Sequence, residues 1–465
     1  MPRRVIATVA ALIATATIGL VVVLWWAATA GLSGAELVNA RFNALRTGLS
    51  IGVGGGGIFA LYLAWRRQHA TEIGLVQKER DQADVARAYE LQRETAEHTR
   101  LHAERVAATT ERDAEARRIT DLYARSVEQL GSDKAPVRHG GLYALERLAL
   151  DHPDNLALRQ TVVNVICAYL RAPFDLPGEP RDADTDRPVR DERHEQVQER
   201  EVRLTAQRIL TSHLYSGSDD DYLAATFWPD TDLDLTGAVL IDWDMKDCLL
   251  RKATFKRTIF AGHAIFSGTT FTGNVQFSGA MFSDDALFGR ATFTRNVQFN
   301  GTAFNGGARF DGAKFIMHAG FSEATFAEGA LFEGATFTGK ALFNKARFSG
   351  DAQFGGVKFI TYVEFNEVMF AGNALFWGVA VEDAYFNGAA FSEDVRFDEA
   401  NFIRETQFKG ATLRHAPPGP RAVLWWPTRW RPSLDHTAIE GREGTWHRLL
   451  GRGETDEPAS PSDDG

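Results

Sequence analysis

Between residues 255 and 413 a large apolar residue returns after five residues, then six, then five again, through thirty anchors. Twenty-eight of the anchors are phenylalanine, and only four of the chain's 32 phenylalanines lie elsewhere. An α-helix turns about 100° per residue, so a five-residue step would throw successive rings about 140° apart. A straight strand alternates faces at every residue, so the same step would put neighbouring rings on opposite sides. The chain must therefore turn a corner in each stride.

The residues between anchors support that reading. Two positions before each anchor stands Ala, Val or Thr almost without exception, as in Ala335, Ala341, Ala346, Ala352, Val357 and Val363. Same-face spacing turns this small residue inward beside the ring. The residue between the two varies freely (Thr336, Leu342, Arg347, Gln353, Lys358), as an outward position does. Glycine stands two positions after 15 of the 28 phenylalanines, which fits a tight corner. Each six-residue stride carries one extra residue, among them His263, Asn274, Asp285, Gly307, His318 and Asp351. Ten of thirteen such residues are Gly, Asn, Asp or His, so this position is predicted to take a left-handed backbone. One slip in the beat falls between Trp377 and Phe386. The leading section, Leu235, Leu240, Met245, Leu250 and Phe255, steps evenly by five, and Trp243 breaks its small-residue pattern.

This pattern resembles the pentapeptide-repeat family in its phenylalanine-anchored variant, over about 180 residues. The resemblance implies a right-handed quadrilateral β-helix over residues 231–413, with four strides per coil and the rings stacked along the axis. Phe255, Phe260, Phe266, Phe271, Phe337, Phe343, Phe348 and Phe354 are then a structural ladder. Thirty-four anchors from Leu235 correspond to roughly eight and a half coils, a rod on the order of 40 Å long. Such a rod needs its ends covered, or open strand edges invite aggregation. The helices before Leu235 are expected to cap one end. The tail, residues 414–465, carries Pro417, Pro418, Pro420 and Trp425, Trp426, Trp430 and Trp446; it is expected to fold over the last coil or to touch a membrane surface, and to end disordered.

Ahead of the repeat the chain changes character three times. Residues 1–66 read as a membrane anchor: 5–30 and 47–65 are free of charge and long enough to span about 30 Å of hydrocarbon, with transmembrane helices at about 5–28 and 47–65. Arg3 and Arg4 before the first, and Arg66 and Arg67 after the second, favour both ends in the cytoplasm and a multi-pass protein of the cell membrane, against Arg41 and Arg46 in the link. Ala28-Thr29-Ala30 resembles a signal-cleavage site, but the apolar run is too long for a usual signal core. The glycines of GVGGGG (52–57) match a dinucleotide fingerprint only formally, since no strand precedes them; Gly48, Gly52 and Gly56 fit close helix packing instead, with the partner left open. Residues 67–118 read as a long polar helix or coiled-coil linker, although Ile73, Val76, Ala83, Leu91 and Leu101 hold no heptad. Residues 119–173 show three amphipathic stripes and form a small helical domain, and "SVEQLGSDKAPVRHGGLYALERLALDHPDN" with "VVNVICAYLRAP" resembles a helical module of bacterial membrane-anchored pentapeptide-repeat proteins. Residues 174–230 are expected to be a charged linker with one helix from about Val202.

Nothing in this pattern calls for catalysis. The net charge of -10 argues against general nucleic-acid binding, and Cys167 and Cys248 are too few and too far apart for a disulfide framework or a thiolate metal site. His98 and His102 lie four apart on a helix but have no third ligand, and His263 and His318 have a turn role. No catalytic, cofactor-binding or metal site is expected. The sequence points to a non-catalytic membrane-anchored scaffold that presents its repeat surface to an unknown protein partner, with Trp377 as the best single contact and a homo-oligomer open. One alternative is a DNA mimic that binds gyrase, resting on 21 acidic against 16 basic residues between 231 and 413, with the acids clustered at 382–399. Another is a regulatory subunit of a channel or transporter.

Overall fold

The computed structural model describes residues 3–31, 34–178, 187–217, 226–414, 430–437 and 445–451. The chain divides into two compact units, Met1–Ala114 and Glu115–Gly465.

The first unit holds helix α1 (Arg3–Thr29) and most of α2 (Ala35–Leu130). Among the described residues these are the two helices long and apolar enough to cross a membrane. They pack through the glycines the sequence singled out: a Cβ on Gly48 would stand 2.2 Å from Cγ2 of Val21, and one on Gly52 2.5 Å from Cγ2 of Thr17. The first span is thus their partner. The Arg41 guanidinium lies 5.3 Å over the Trp25 ring. Helix α2 runs unbroken for 96 residues, so the polar helix and the first of the three predicted short helices are one element, ended at Gly131.

In the second unit the end of α2 packs with α3 (Ala135–Asp151), α4 (Leu156–Arg171) and α5 (Arg187–Leu214). Helix α5 corrects the sequence reading, for it begins 15 residues before Val202. The charge there is not a linker's. Pro188 lies in the first turn, where its missing N–H costs nothing. Arg203 is buried, donating from Nε to Glu199 one turn earlier (2.8 Å) and from its two terminal nitrogens to the Leu170 and Ala172 carbonyls that end α4. Glu199 also accepts from Tyr169 Oη (2.7 Å) and pairs with Arg138 (3.1 Å).

From Asp232 the chain winds into a parallel β-solenoid of about eight coils. Most strands are two residues long, because each stride spends its remaining residues on a corner. Coils repeat every 22 residues, as in Val275 opposite Val297, after a first coil of 20, as in Asp232 opposite Lys252. Phenylalanine rings fall into four stacks that begin at Phe255, Phe260, Phe266 and Phe271. Within a stack, successive rings lie nearly parallel at 4.4 to 5.2 Å. The Phe255 and Phe266 stacks meet edge to face across the interior at 5.3 to 5.8 Å. Each buried ring contributes about 1.5–3 kcal/mol, plus about 0.5–1.5 kcal/mol for a favourable aromatic pair, before entropy is counted.

The corners differ from the sequence expectation. Positive φ, between 53° and 70°, falls two residues after every ring of the Phe255 and Phe266 stacks, at Arg257, Gly268, Gly279, Arg290 and so on, all within five-residue strides. There the very next residue closes a turn, as Ala280 N–H does onto the Phe277 carbonyl (2.9 Å), and a type II turn requires positive φ at its third position, here Gly279. The extra residues of the six-residue strides are not left-handed. Their polar side chains instead accept the N–H of the same position one coil on: Asp285 from Gly307 (2.9 Å), Asn296 from His318 (3.2 Å) and Asp351 from Asn373 (2.9 Å). Glycine just before them serves close approach, since a Cβ on Gly339 would stand 2.4 Å from the Met317 carbonyl oxygen.

The slip in register is the loss of one corner residue. Strand Ala380–Tyr385 pairs with Lys358–Glu364 in two parts, Val381 opposite Phe359 and Asp383 opposite Tyr362. Val381 takes a ring's place, and Phe402 beyond it meets Phe397 edge-on at 5.7 Å.

Both ends are covered. At the first coil Trp243 fills the small-residue position opposite Ala264 and is buried edge-on to Phe255. The Gln207 side chain pairs with the edge strand like another strand would, donating to the Ile241 carbonyl (2.7 Å) and accepting its N–H (2.9 Å). Gln160 does the same at Asp232 (2.8 and 3.0 Å). At the other end Trp446–Gly451 pairs antiparallel with Thr412–Leu413 and with Trp430–Thr437. Trp430 lies edge-on to Phe408 at 5.6 Å and donates from Nε1 to the Thr406 carbonyl (3.0 Å). The expected cap is therefore present in these segments; Trp425, Trp426, the three prolines and the acidic end lie outside the described residues. One apolar cluster runs from Leu130 to Leu449 through the whole unit.

Candidate interaction surface

Every anchor named in the sequence ladder, Phe255, Phe260, Phe266, Phe271, Phe337, Phe343, Phe348 and Phe354, is fully buried and stacked. The small residues before them are buried as well, and where these are Thr258, Thr269 and Thr302 the hydroxyl donates to a carbonyl of the preceding coil. Inward positions are therefore committed to the core. What the solenoid can offer lies on its outward positions.

Among those, three isoleucines share one column, directly after the rings of the Phe271 stack: Ile316, Ile360 and Ile403 are 42%, 51% and 61% exposed, while Ile259 and Met281 form a shorter one before Phe260 and Phe282. Beside the longer column, around the same corner, Lys340 lies 5.1 Å over the Tyr362 ring and Tyr362 meets Tyr385 edge-on. Sequence reasoning missed this column because its members are 43 or 44 residues apart, with Thr338 and Glu382 between them; the 22-residue repeat brings them into line. Trp377 points outward and is 45% exposed, as expected. Part of its ring is nonetheless spent on the coil below, since a Cβ on Gly355 would stand 2.2 Å from its Cε2.

The acids of residues 382–399 do not form one patch. Glu382 and Asp383 sit at one corner, Glu393 and Asp394 at a second and Asp398 and Glu399 at a third, set there by their offsets from Val381, Phe391 and Phe397. Glu382 pairs with Arg404 (3.3 Å), Asp398 with Arg396 (2.8 Å), and Asp383 accepts the Glu405 N–H (2.9 Å).

The thiols are unsuited to chemistry. Burial pushes both Cys167 and Cys248 up to about 12, so neither offers a thiolate nucleophile. His98 and His102 are exposed on α2. Successive coils bring His263 within 4.8 Å of Asp284 and Asp285, a juxtaposition the sequence did not show. That group is part of a corner, where Asp285 already accepts the Gly307 N–H and Asp284 stands 3.8 Å from His263. In the helical cap, His213 is buried between the Thr226 carbonyl (2.6 Å) and Glu146 (2.8 Å) and stacks on Trp228 at 3.9 Å. No periodicity marked that residue, which joins α3 and α5 to the start of the solenoid.

The family comparison matches pentapeptide repeats (nine copies) over residues 235–292, 288–336 and 332–380. The solenoid belongs to the pentapeptide-repeat family. No curated protein and no solved structure matches the chain. Pentapeptide-repeat solenoids are a protein-interaction type of fold and generally non-enzymatic. In this one, the periodic positions specify the coil and the outward columns are left to carry specificity.

Proposed function

We propose that this chain is a non-catalytic, membrane-anchored scaffold whose pentapeptide-repeat solenoid binds a protein partner. The observation that carries the reading is the column of Ile316, Ile360 and Ile403, which includes the two most exposed apolar side chains of the solenoid; Ile259 and Met281 form a shorter column, and Met317 and Trp377 are exposed as well. Anchoring is supported by two apolar helices packed through Gly48 and Gly52, and by Arg3, Arg4, Arg66 and Arg67 flanking them on what is then the cytoplasmic side. Carbonate-washed membranes retain the chain on this reading; its release would remove the anchor.

Affinity purification from solubilised membranes tests the surface. Ile316→Asp with Ile360→Asp should abolish recovery of a specific partner while the circular dichroism spectrum is unchanged, whereas Thr294→Asp on an earlier coil should not. Partner recovery insensitive to the column would sink the reading. The DNA-mimic alternative is weaker, because the acids clustered in sequence are spread over three corners and partly paired. Inhibition or protection of gyrase in a supercoiling assay with residues 115–465 would reverse that order.

A further inference from the structure

Apolar residues keep no heptad along α2, but uncharged ones do. Steps of three and four residues from position 47 (47, 50, 54, 57, 61 and onward) reach position 110 through nineteen positions, and only Lys78 among them is charged. The same beat shifted by one residue collects eight charges in thirteen positions between 69 and 111. All nineteen side positions are exposed in the single chain. In the apolar part the stripe lies opposite the face used by α1. Gly48 and Gly52 meet Val21 and Thr17, while a Cβ on Gly54 or Gly57 would meet nothing within 4 Å. Beyond it the stripe carries Leu75, Val85, Tyr89 and Val106, each half exposed or more. A 3.5-residue beat sustained over nine heptads is the period of a supercoiled seam rather than of a lone helix, which drifts about 20° per heptad from it.

We propose that α2 pairs in parallel and in register with α2 of a second copy of this chain along this stripe. The charge pattern favours a second copy over another occupant. In-register pairing sets each seam residue against itself, so every charge in the seam would face its own kind, and the seam has one. Flanking positions five apart across such a pair bring Arg67 to Glu72 of the other copy and oppose no like charges. Small residues at positions 50, 54 and 57 permit the close approach that helices need in a bilayer. The parallel register rests on the membrane reading of residues 47–65, and the seam itself does not.

The test is disulfide trapping in the full chain, in membranes. Ala96→Cys, Thr99→Cys and Ala103→Cys should give disulfide-linked dimers several-fold more readily than Glu97→Cys and Arg100→Cys, with the buried Cys167 and Cys248 silent in the parent. Light scattering of the detergent-solubilised parent should give twice the chain mass, and Ala96→Lys with Ala103→Lys should halve it while Glu97→Lys does not. Equal trapping at all five positions, a monomeric or trimeric mass, or trapping of Ala96→Cys to a different protein would overturn the proposal. Trapping at position 96 in a chain released from membranes by carbonate would sink the membrane reading alone.

Discussion

Most phenylalanines in this solenoid are surrounded by other phenylalanine rings. Phe343 stacks on Phe321 and Phe365 at 4.8 and 4.9 Å and meets Phe332 and Phe354 edge-on at 5.5 and 5.7 Å. Phe343→Ala removes a ring from between two rigid coils that cannot collapse onto the space. It should cost about 3–5 kcal/mol, read as a lower denaturation midpoint of the second unit. The glycines separate into two kinds with opposite substitution rules. Glu323 holds φ 60° at a position where Gly279, Gly301, Gly388 and Gly410 stand in other coils, so Glu323→Gly should stabilise by about 0.5–1 kcal/mol, the relief of left-handed strain less the added unfolded-state entropy. Gly339 has ordinary φ but no room, so Gly339→Ala should destabilise; thermal melts of the two variants should shift in opposite directions. The sequence showed that glycine belongs at the corners but not why. Turn strain and close approach both select the residue without a Cβ, and only the backbone tells them apart.

At the scale of elements the two ends are held by different devices. Gln207 closes the first coil with a side chain that mimics a strand, both of its bonds buried. Gln207→Leu keeps the bulk and leaves the Ile241 N–H and carbonyl unpaired, at about 1–3 kcal/mol for each group. It should also promote edge-to-edge aggregates of the soluble unit, measurable by sedimentation. Among the helices, His152 ties α3 to the end of α2 through Glu115 (2.9 Å), with its other ring nitrogen on the Leu148 carbonyl (2.9 Å). The hydrogen bond to Glu115 raises His152 above its ordinary value, and the same bond, with Arg118, lowers Glu115. A raised histidine contributes stability that is full below its unfolded value near 6.5 and is lost as pH rises through the folded one. A lowered carboxylate contributes stability that is full above about 4.5 and is lost as pH falls through its folded value. The melting temperature should thus decline gently as pH rises past about 6.5, and His152→Gln should flatten that slope. The repeat and the amphipathic stripes of α3 and α4 were legible because burial imposes a period. The start of α5 was not, because the buried Arg203 and the partly buried Glu199 form a mutually satisfied pair, and in sequence such a pair is indistinguishable from solvated charge.

Across the whole second unit one apolar cluster runs from cap to cap, yet its coils are not equivalent. Each coil is held by the two beside it, so a solenoid's stability is roughly a sum of neighbour terms and follows the quality of the local stacking. Through Phe376 the rings are at most 2% exposed and all four stacks are continuous. After Val381 the Phe271 stack is interrupted, Phe397 rises to 5% exposure and Phe402, Val395 and Ala400 are only partly buried. The last two coils then depend on the Trp430 and Trp446 cap more than on their own rings. Hydrogen exchange should show the strongest protection in strands between residues 275 and 375 and clearly faster exchange from residue 395 to 413, with opening of that end below the global unfolding free energy. Val381→Phe would place a ring between Phe359 and Phe402 and should slow exchange of the Phe402 strand specifically, leaving the early coils unchanged. Protection that is uniform to Leu413, or a response to Val381→Phe spread evenly over the solenoid, would mean that the coils open as one body and that the break in the stack carries no weight.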